Sequence, residues 1–277
     1  MKIHNLFTIM ILGVAAARAQ TPAVFDGGVL NGASFAKDSN GQGSPVAVGS
    51  LVSIFGTNLA TTLLHADSVP FSTQLGGVSV TFNGVPAPLS DTIPGSQFSQ
   101  LNVQIPFSAM DSGLTSENVN VVVTVNGVPS AAKPVPLVQV AGGIFSIPAG
   151  VGNAVLITND GKIAAPPSAA VSSVYPTRAI ARGETCFFYA AGLGPVTPPL
   201  KEGSIDLTQL HNANTLPVVL IGGISAPVAF AGAAPQFPGV YQVNLTIPQS
   251  APTGDAVPIQ IQAGGVTSTN LVTIAVK

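Results

Sequence analysis

Gln100–Pro106 reads QLNVQIP, and Gln242–Pro248 reads QVNLTIP. In an extended chain Leu101, Val103 and Ile105 of the first fall on one side, and Asn102 and Gln104 on the other. The second keeps that register with Val243, Leu245 and Ile247. One dry face and one wet face mark a strand of an antiparallel sheet packed on a core. The pair also discloses a duplication. Gly49–Leu59 (GSLVSIFGTNL) returns as Gly183–Leu193 (GETCFFYAAGL), Val80–Pro88 (VTFNGVPAP) as Val219–Pro227 (VLIGGISAP), and Asn126–Ser130 (NGVPS) as Gly264–Ser268 (GGVTS). Their offsets are 134, 139 and 138 residues, against 142 for the opening pair, so order and spacing are both kept. A shared period of this size predicts two copies of one domain.

The rest of the chain agrees with strands. Leu51–Phe55, Val78–Phe82, Val119–Val125, Val218–Ile221, Val257–Ile261 and Leu271–Val276 are β-branched or aromatic and bounded by Gly, Pro or Asn. Asn83-Gly84, Asn126-Gly127, Gly222-Gly223 and Gly264-Gly265 supply the positive φ that tight hairpins demand. With 30 Gly and 24 Pro a helical reading fails nearly everywhere, and only Gly203–Asn214 suits a short helical turn. The prediction is an all-β chain. Residues 20–45 form a lead-in strand and flexible loop, 46–140 a first sandwich, 141–177 a connector with a hairpin turning at Asn159-Asp160-Gly161, and 178–277 a second sandwich.

Residues 1–19 read as a secretory signal. Lys2 lies ahead of the apolar run Leu6–Val14, and Ala17-Arg18-Ala19 forms a cleavage site before Gln20. The expectation is export to the periplasm, cell surface or medium, with no transmembrane segment in the mature chain. Beyond residue 19 the chain carries 7 basic and 11 acidic groups, a formal −4. Without clustered Lys and Arg it is not expected to bind nucleic acid or anionic lipid. Cys186 is the single cysteine, so no intrachain disulfide forms, and its place in the repeat, opposite Val52, predicts a small buried apolar residue.

A resemblance to a known family rests on GVLNGASF (Gly28–Phe35), GSLVSIFGTNLA (Gly49–Ala60), LGGVSVTFNGVPAPL (Leu75–Leu89), LNVQIP (Leu101–Pro106), GGIFS (Gly142–Ser146), AAGLGPVTP (Ala190–Pro198), GVYQVN (Gly239–Asn244) and PTGDAVPI (Pro252–Ile259). In that order these resemble the secreted acidobacterial family known as the Solibacter uncharacterised C-terminal module, along nearly the whole mature chain. The resemblance implies tandem immunoglobulin-like sandwiches of IPT/TIG type, behind signal peptides or at the C-termini of larger exported proteins. It carries over no catalytic residue.

A search for chemistry finds little. His65 and His211 have the nearby acids Asp67 and Asp206 but no nucleophile context, and both fall in connections that read as exposed loops. Asp38–Gly43 (DSNGQG) imitates the start of a calcium loop, yet position twelve is Gly49, so a polar linker is the better reading. Glu117, Glu184 and Glu202 occupy no equivalent positions in the two copies. No metal, cofactor or catalytic group is therefore assigned. Trp is absent, and Phe55, Phe82, Phe187, Phe188 and Phe230 read as core. Phe98 and Phe237 differ: each stands in a loop just before the Gln-strand of its copy, a candidate pair of contact loops. Prolines such as Pro134, Pro136 and Pro258 are expected to guard strand edges, and any unguarded edge would support weak self-association or strand addition. The expected role is a non-catalytic exported module working through protein–protein contacts at the cell surface or in the envelope. The alternative is a carbohydrate-binding or hydrolytic accessory protein.

Overall fold

A computed structural model of the protein describes residues 20–268 and 271–277. The expected signal segment, 1–19, lies outside them. The fold is all-β: two immunoglobulin-like sandwiches in tandem. The principal strands of the first are β1 (Ala23–Asn31), β2 (Leu51–Thr57), β3 (Val78–Phe82), β4 (Leu89–Ile93), β5 (Ser99–Gln104), β6 (Ser116–Val125) and β7 (Lys133–Val138). Those of the second are β8 (Leu156–Thr158), β9 (Thr185–Ala191), β10 (Val218–Ile221), β11 (Val228–Ala233), β12 (Tyr241–Thr246), β13 (Gly254–Ala263) and β14 (Val272–Val276).

In the first sandwich one sheet runs β1-β2-β5-β4 with Leu64–His65 at its edge, and the other runs Val46–Ala47, β7, β6, β3. The second repeats this order as β9-β12-β11 and β14-β13-β10. Register repeats too. Val52 faces Val103 as Cys186 faces Leu245, and Val123 faces Val80 as Ile261 faces Val219. Even a side-chain clasp is copied: Val123 N–H donates to Ser130 Oγ, and Ile261 N–H to Ser268 Oγ, each at 3.1 Å.

Alternation builds each core. Val52, Ile54, Leu101 and Val103 pack on Val80, Phe82, Val121 and Val123, while Phe188, Val243 and Leu245 pack on Val219, Ile259 and Ile261. Each large apolar side chain so buried contributes about 1.5–3 kcal/mol. The hairpins close as the dipeptides require, with φ +47° and +80° at Asn83-Gly84 and +59° and +79° at Gly264-Gly265. Pro134 and Pro136 lie on the stretch of β7 that Val46–Ala47 leaves uncovered, where a missing N–H offers a stranger no donor.

Several elements differ from expectation. The lead-in strand is part of the first sandwich, because β1 pairs with β2. The connector is equally built in: Gly143–Ile144 and β8 both pair with β9, and Asn153 bridges to Thr273. Its hairpin turns at 159–161, where Arg178 fastens it. The guanidinium donates to Asp160 (2.8 Å), Asn159 (3.2 Å) and the Glu184 carboxylate, and holds both carboxyl groups below their usual range. Residues 203–214 form no helix; they hold bends and the short strand Asn212–Ala213. The 3-10 turns are at Phe107–Ala109 and Ala170–Ser173.

The two sandwiches meet at a joint made by backbone and amides. Leu51 N–H donates to Gly239 O at 2.9 Å, and Phe71 N–H to Gly203 O at 2.8 Å. Asn31 Nδ2 donates to Ala141 O (2.9 Å) while its Oδ1 accepts from Ala33 and Ser34. Gln104, 3% exposed, spans the joint: Nε2 donates to Gly49 O (2.9 Å) and Oε1 accepts Gly203 N–H (2.6 Å). Gly192 has φ +86°, and a Cβ there would stand 2.0 Å from Ala141 O. Thus Asn31 of GVLNGASF, Gln104 of LNVQIP, Gly192 of AAGLGPVTP and Gly239 of GVYQVN all converge on the contact between copies.

Candidate functional site

The outward half of each alternation is where the copies offer side chains to solvent. On β5, Asn102 lies between Ser53 of β2 and Asp91 of β4, and Gln100 between Phe55 and Ile93. On β12 the equivalent Asn244 lies between Phe187 of β9 and Phe230 of β11, and Gln242 between Tyr189 and Gly232. The amide pair is the same in both: Gln100 Nε2 donates to Asn102 Oδ1 at 2.9 Å, and Gln242 Nε2 to Asn244 Oδ1 at 2.7 Å.

Beside each amide pair stands an aromatic pair. Phe98 packs on Phe55 with ring centroids 5.8 Å apart at 66°, and Phe237 packs on Tyr189 at 5.4 Å and 89°. Such edge-on contacts add about 0.5–1.5 kcal/mol beyond area burial. Phe98 remains 48% exposed and Phe237 46%. The two loop residues singled out in the sequence therefore occupy matching places, each against a ring on the strand opposite. Phe55, Phe187 and Phe230 are not core. They are half-buried on these outer faces, whereas Phe82 and Phe188 lie inside.

The first face continues into a polar row. Ser53 Oγ donates to Asn102 Oδ1 (2.9 Å), and Asn102 Nδ2 to Asp91 Oδ2 (3.0 Å). Ser90 Oγ also donates to Asp91 Oδ2, and His65 Nδ1 lies against Asp91 Oδ1, both at 2.6 Å. Burial raises the Asp91 pKa, but these three donors outweigh it and leave the carboxyl below its usual range. His65 thus pairs with Asp91, brought beside it by the pairing of Leu64–His65 with β4, and not with Asp67.

His211 corrects the sequence reading more sharply. It is 4% exposed, with Nδ1 2.6 Å from Pro198 O and Nε2 3.1 Å from Asp206 Oδ2. The Pro198 carbonyl, helped by Asp206, raises its pKa against the burial that lowers it. Asp206 in turn accepts from the Thr208 hydroxyl and backbone and from Gln209, so the ensemble fastens a loop. Neither histidine has a serine or cysteine among its hydrogen-bond partners in the described residues. Asp38 Oδ1 caps its own turn through Asn40 and Gln42 N–H, and no three His, Cys, Asp or Glu cluster as metal ligands among the described residues. Cys186 is buried, which, with Glu184 nearby, pushes its thiol up to about 12.

No protein-family model matches the chain, and no curated protein does. Solved structures similar to it include surface glycan-binding proteins and tandem immunoglobulin repeats. The surface glycan-binding protein SGBP-B of the Bacteroides ovatus mixed-linkage glucan utilization locus, solved with a mixed-linkage heptasaccharide, is 13% identical with TM-score 0.31, over 84% of this chain and 42% of that one. A surface glycan-binding protein of Prevotella bryantii is 10% identical with TM-score 0.24, over 91% and 41%. The I9–I11 immunoglobulin tandem of titin is 11% identical with TM-score 0.22, over 93% and 67%. The chain spans about two fifths of the length of the two glycan-binding proteins. Likeness at this level does not bear on what the chain binds. No helix among the described residues is long and apolar enough to cross a membrane.

Proposed function

We propose that the chain is a non-catalytic exported module that binds a partner at the cell surface or in the envelope, using the outer faces around β5 and β12. The observation that carries this reading is the twofold occurrence of one surface: a Gln-x-Asn row beside a half-exposed aromatic pair, in equivalent register. Half-exposed rings forgo part of the burial they could have had, a cost that a binding surface recovers on contact. The signal-like residues 1–19 and the resemblance to the secreted Solibacter module family belong to the same reading. Rigid sheets then act by display, holding faces and end loops in place for the partner.

The test compares the exported wild-type chain with a Phe98→Ala/Phe237→Ala double variant for retention on envelope fractions of the native cells. Retention by the wild type and loss by the double variant, with cooperative unfolding of both sandwiches preserved, is the expected outcome. Equal retention of the two proteins rules out the faces as the contact surface. Mass spectrometry of the exported chain should find Gln20 at its start.

A further inference from the structure

The outer face of the first sandwich differs from its twin in a way that selects a ligand chemistry. Two hollows, of about 340 Å³ and 280 Å³, flank Phe98 and share it as a common wall. Phe25, Phe35 and Phe55 line the second, with Phe35 and Phe55 ring centroids 6.1 Å apart. Phe25 is 40% exposed, so the groove presents aromatic carbon on both sides of Phe55. Two residues along the strands, about 7 Å away, the surface becomes polar at Ser53, Asn102 and Asp91.

We infer that this face is a binding site for a neutral oligosaccharide. The inference rests on the binding-module reading above and names its ligand class. A sugar ring has a C–H face that packs on aromatic carbon and a rim of hydroxyls that each donate and accept. The groove supplies the first need through Phe98 and Phe55. The row supplies the second with planar amides and a carboxylate whose positions are set by one another before any ligand arrives. Such preorganisation removes the ordering cost that otherwise weakens contacts to flexible polar side chains.

The row also has capacity to spare. Gln100 Oε1 and His65 Nε2 have no hydrogen-bond partner among the described residues. The Asp91 oxygens accept three hydrogen bonds, from His65, Ser90 and Asn102, which leaves room for one more on a carboxylate. An apolar peptide laid over this row would strand those groups away from water, at about 1–3 kcal/mol each. An anionic glycan fits no better. Asp91 would repel it, no arginine lies on the face to pair with it, and Lys133 nearby is already 2.5 Å from Asp26, so Lys37 at the rim of the second hollow is a lone cation set against the carboxylates of Asp26 and Asp91. The second sandwich lacks the row, since Phe187 and Phe230 flank Asn244 where Ser53 and Asp91 flank Asn102.

The experiment is affinity electrophoresis of the full exported chain through gels containing a soluble β-glucan, xylan, mannan or α-glucan, with heparin and pectate as anionic counterparts. At least one neutral polysaccharide should retard the protein and neither anionic one should. Phe98→Ala and Gln100→Ala should each weaken that retardation about 5–10-fold, the equivalent of about 1–1.4 kcal/mol. Val174→Ala, at an exposed connector residue outside both faces, should leave it unchanged. Retardation by the anionic polymers alone, by none, or equally in Phe98→Ala overturns the assignment. If the sugars fail while the double variant still loses envelope retention, the face binds protein, and only the ligand class falls. If both fail, the binding-module reading falls with it.

Discussion

The faces around β5 and β12 share a strand order, a register and an amide pair, yet one is edged by Ser53 and Asp91 and the other by Phe187 and Phe230. Behind them the same strands present matching apolar side chains to nearly dry cores. The difference teaches where a duplicated sandwich can change. An inward position must fill a volume already shaped by the opposite sheet, so Val52 and Cys186 remain small alternatives to each other. An outward position answers only to solvent and whatever comes from it.

Neighbouring phenylalanines on β9 give the hardest test of that division. Phe188→Ala removes a fully buried ring and should cost about 3–5 kcal/mol in denaturant unfolding. Phe187→Ala, one residue earlier and facing out, should cost only about 1 kcal/mol. Similar values would mean the second face is really core. The joint breaks the symmetry next. Gln104→Ala strands buried partners at Gly49 and Gly203 and should cost about 1–3 kcal/mol, separating the melting of the two sandwiches in calorimetry. Its repeat equivalent Thr246, half-buried and outside the joint, should tolerate Ala within about 0.5 kcal/mol.

The amide rows come third. Asn102→Ala cuts the links to Ser53, Gln100 and Asp91 and should cost about 1–2 kcal/mol, whereas Asn244→Ala loses only the bond from Gln242 and should cost about 0.5 kcal/mol. Equal losses would show that the first row is not a network. The smallest effect is a pH slope. His211 has its folded pKa raised above the usual 6.5, so its contribution is complete below that value and is lost as pH rises through the folded one. Melting of the second sandwich should therefore decline as pH rises above the usual histidine value of 6.5, and His211→Gln should flatten the slope.

Most of the fold was legible in the sequence because alternation and turn chemistry are local. QLNVQIP declares its own two faces, and Asn83-Gly84 its own hairpin. The faces themselves were less legible. Cys186-Phe187-Phe188-Tyr189 is apolar on both sides, and alternation says which residues share a side without saying which side is wet. Phe55 and Phe230 were lost to the core for the same reason. Phe98 and Phe237 could be singled out because both sit in loops at the same place in the repeat. His211 reads as exposed in the sequence because its partner, the Pro198 carbonyl that meets Nδ1, lies thirteen residues away, with no local signature of the contact. The polar row needed β4 and Leu64–His65 to come alongside β5, a pairing with no local signature. The motifs behind the family resemblance gave no hint that they build a joint, since Asn31 and Ala141 lie 110 residues apart.

That joint makes the molecule a ruler. With Gln104 and Asn31 pinning one sandwich to the other, the spacing between the two faces is set by folding and not by the partner. On the proposed reading, a partner long enough to reach both faces meets the second at high effective concentration once the first is engaged, while one that reaches a single face gains nothing from the duplication.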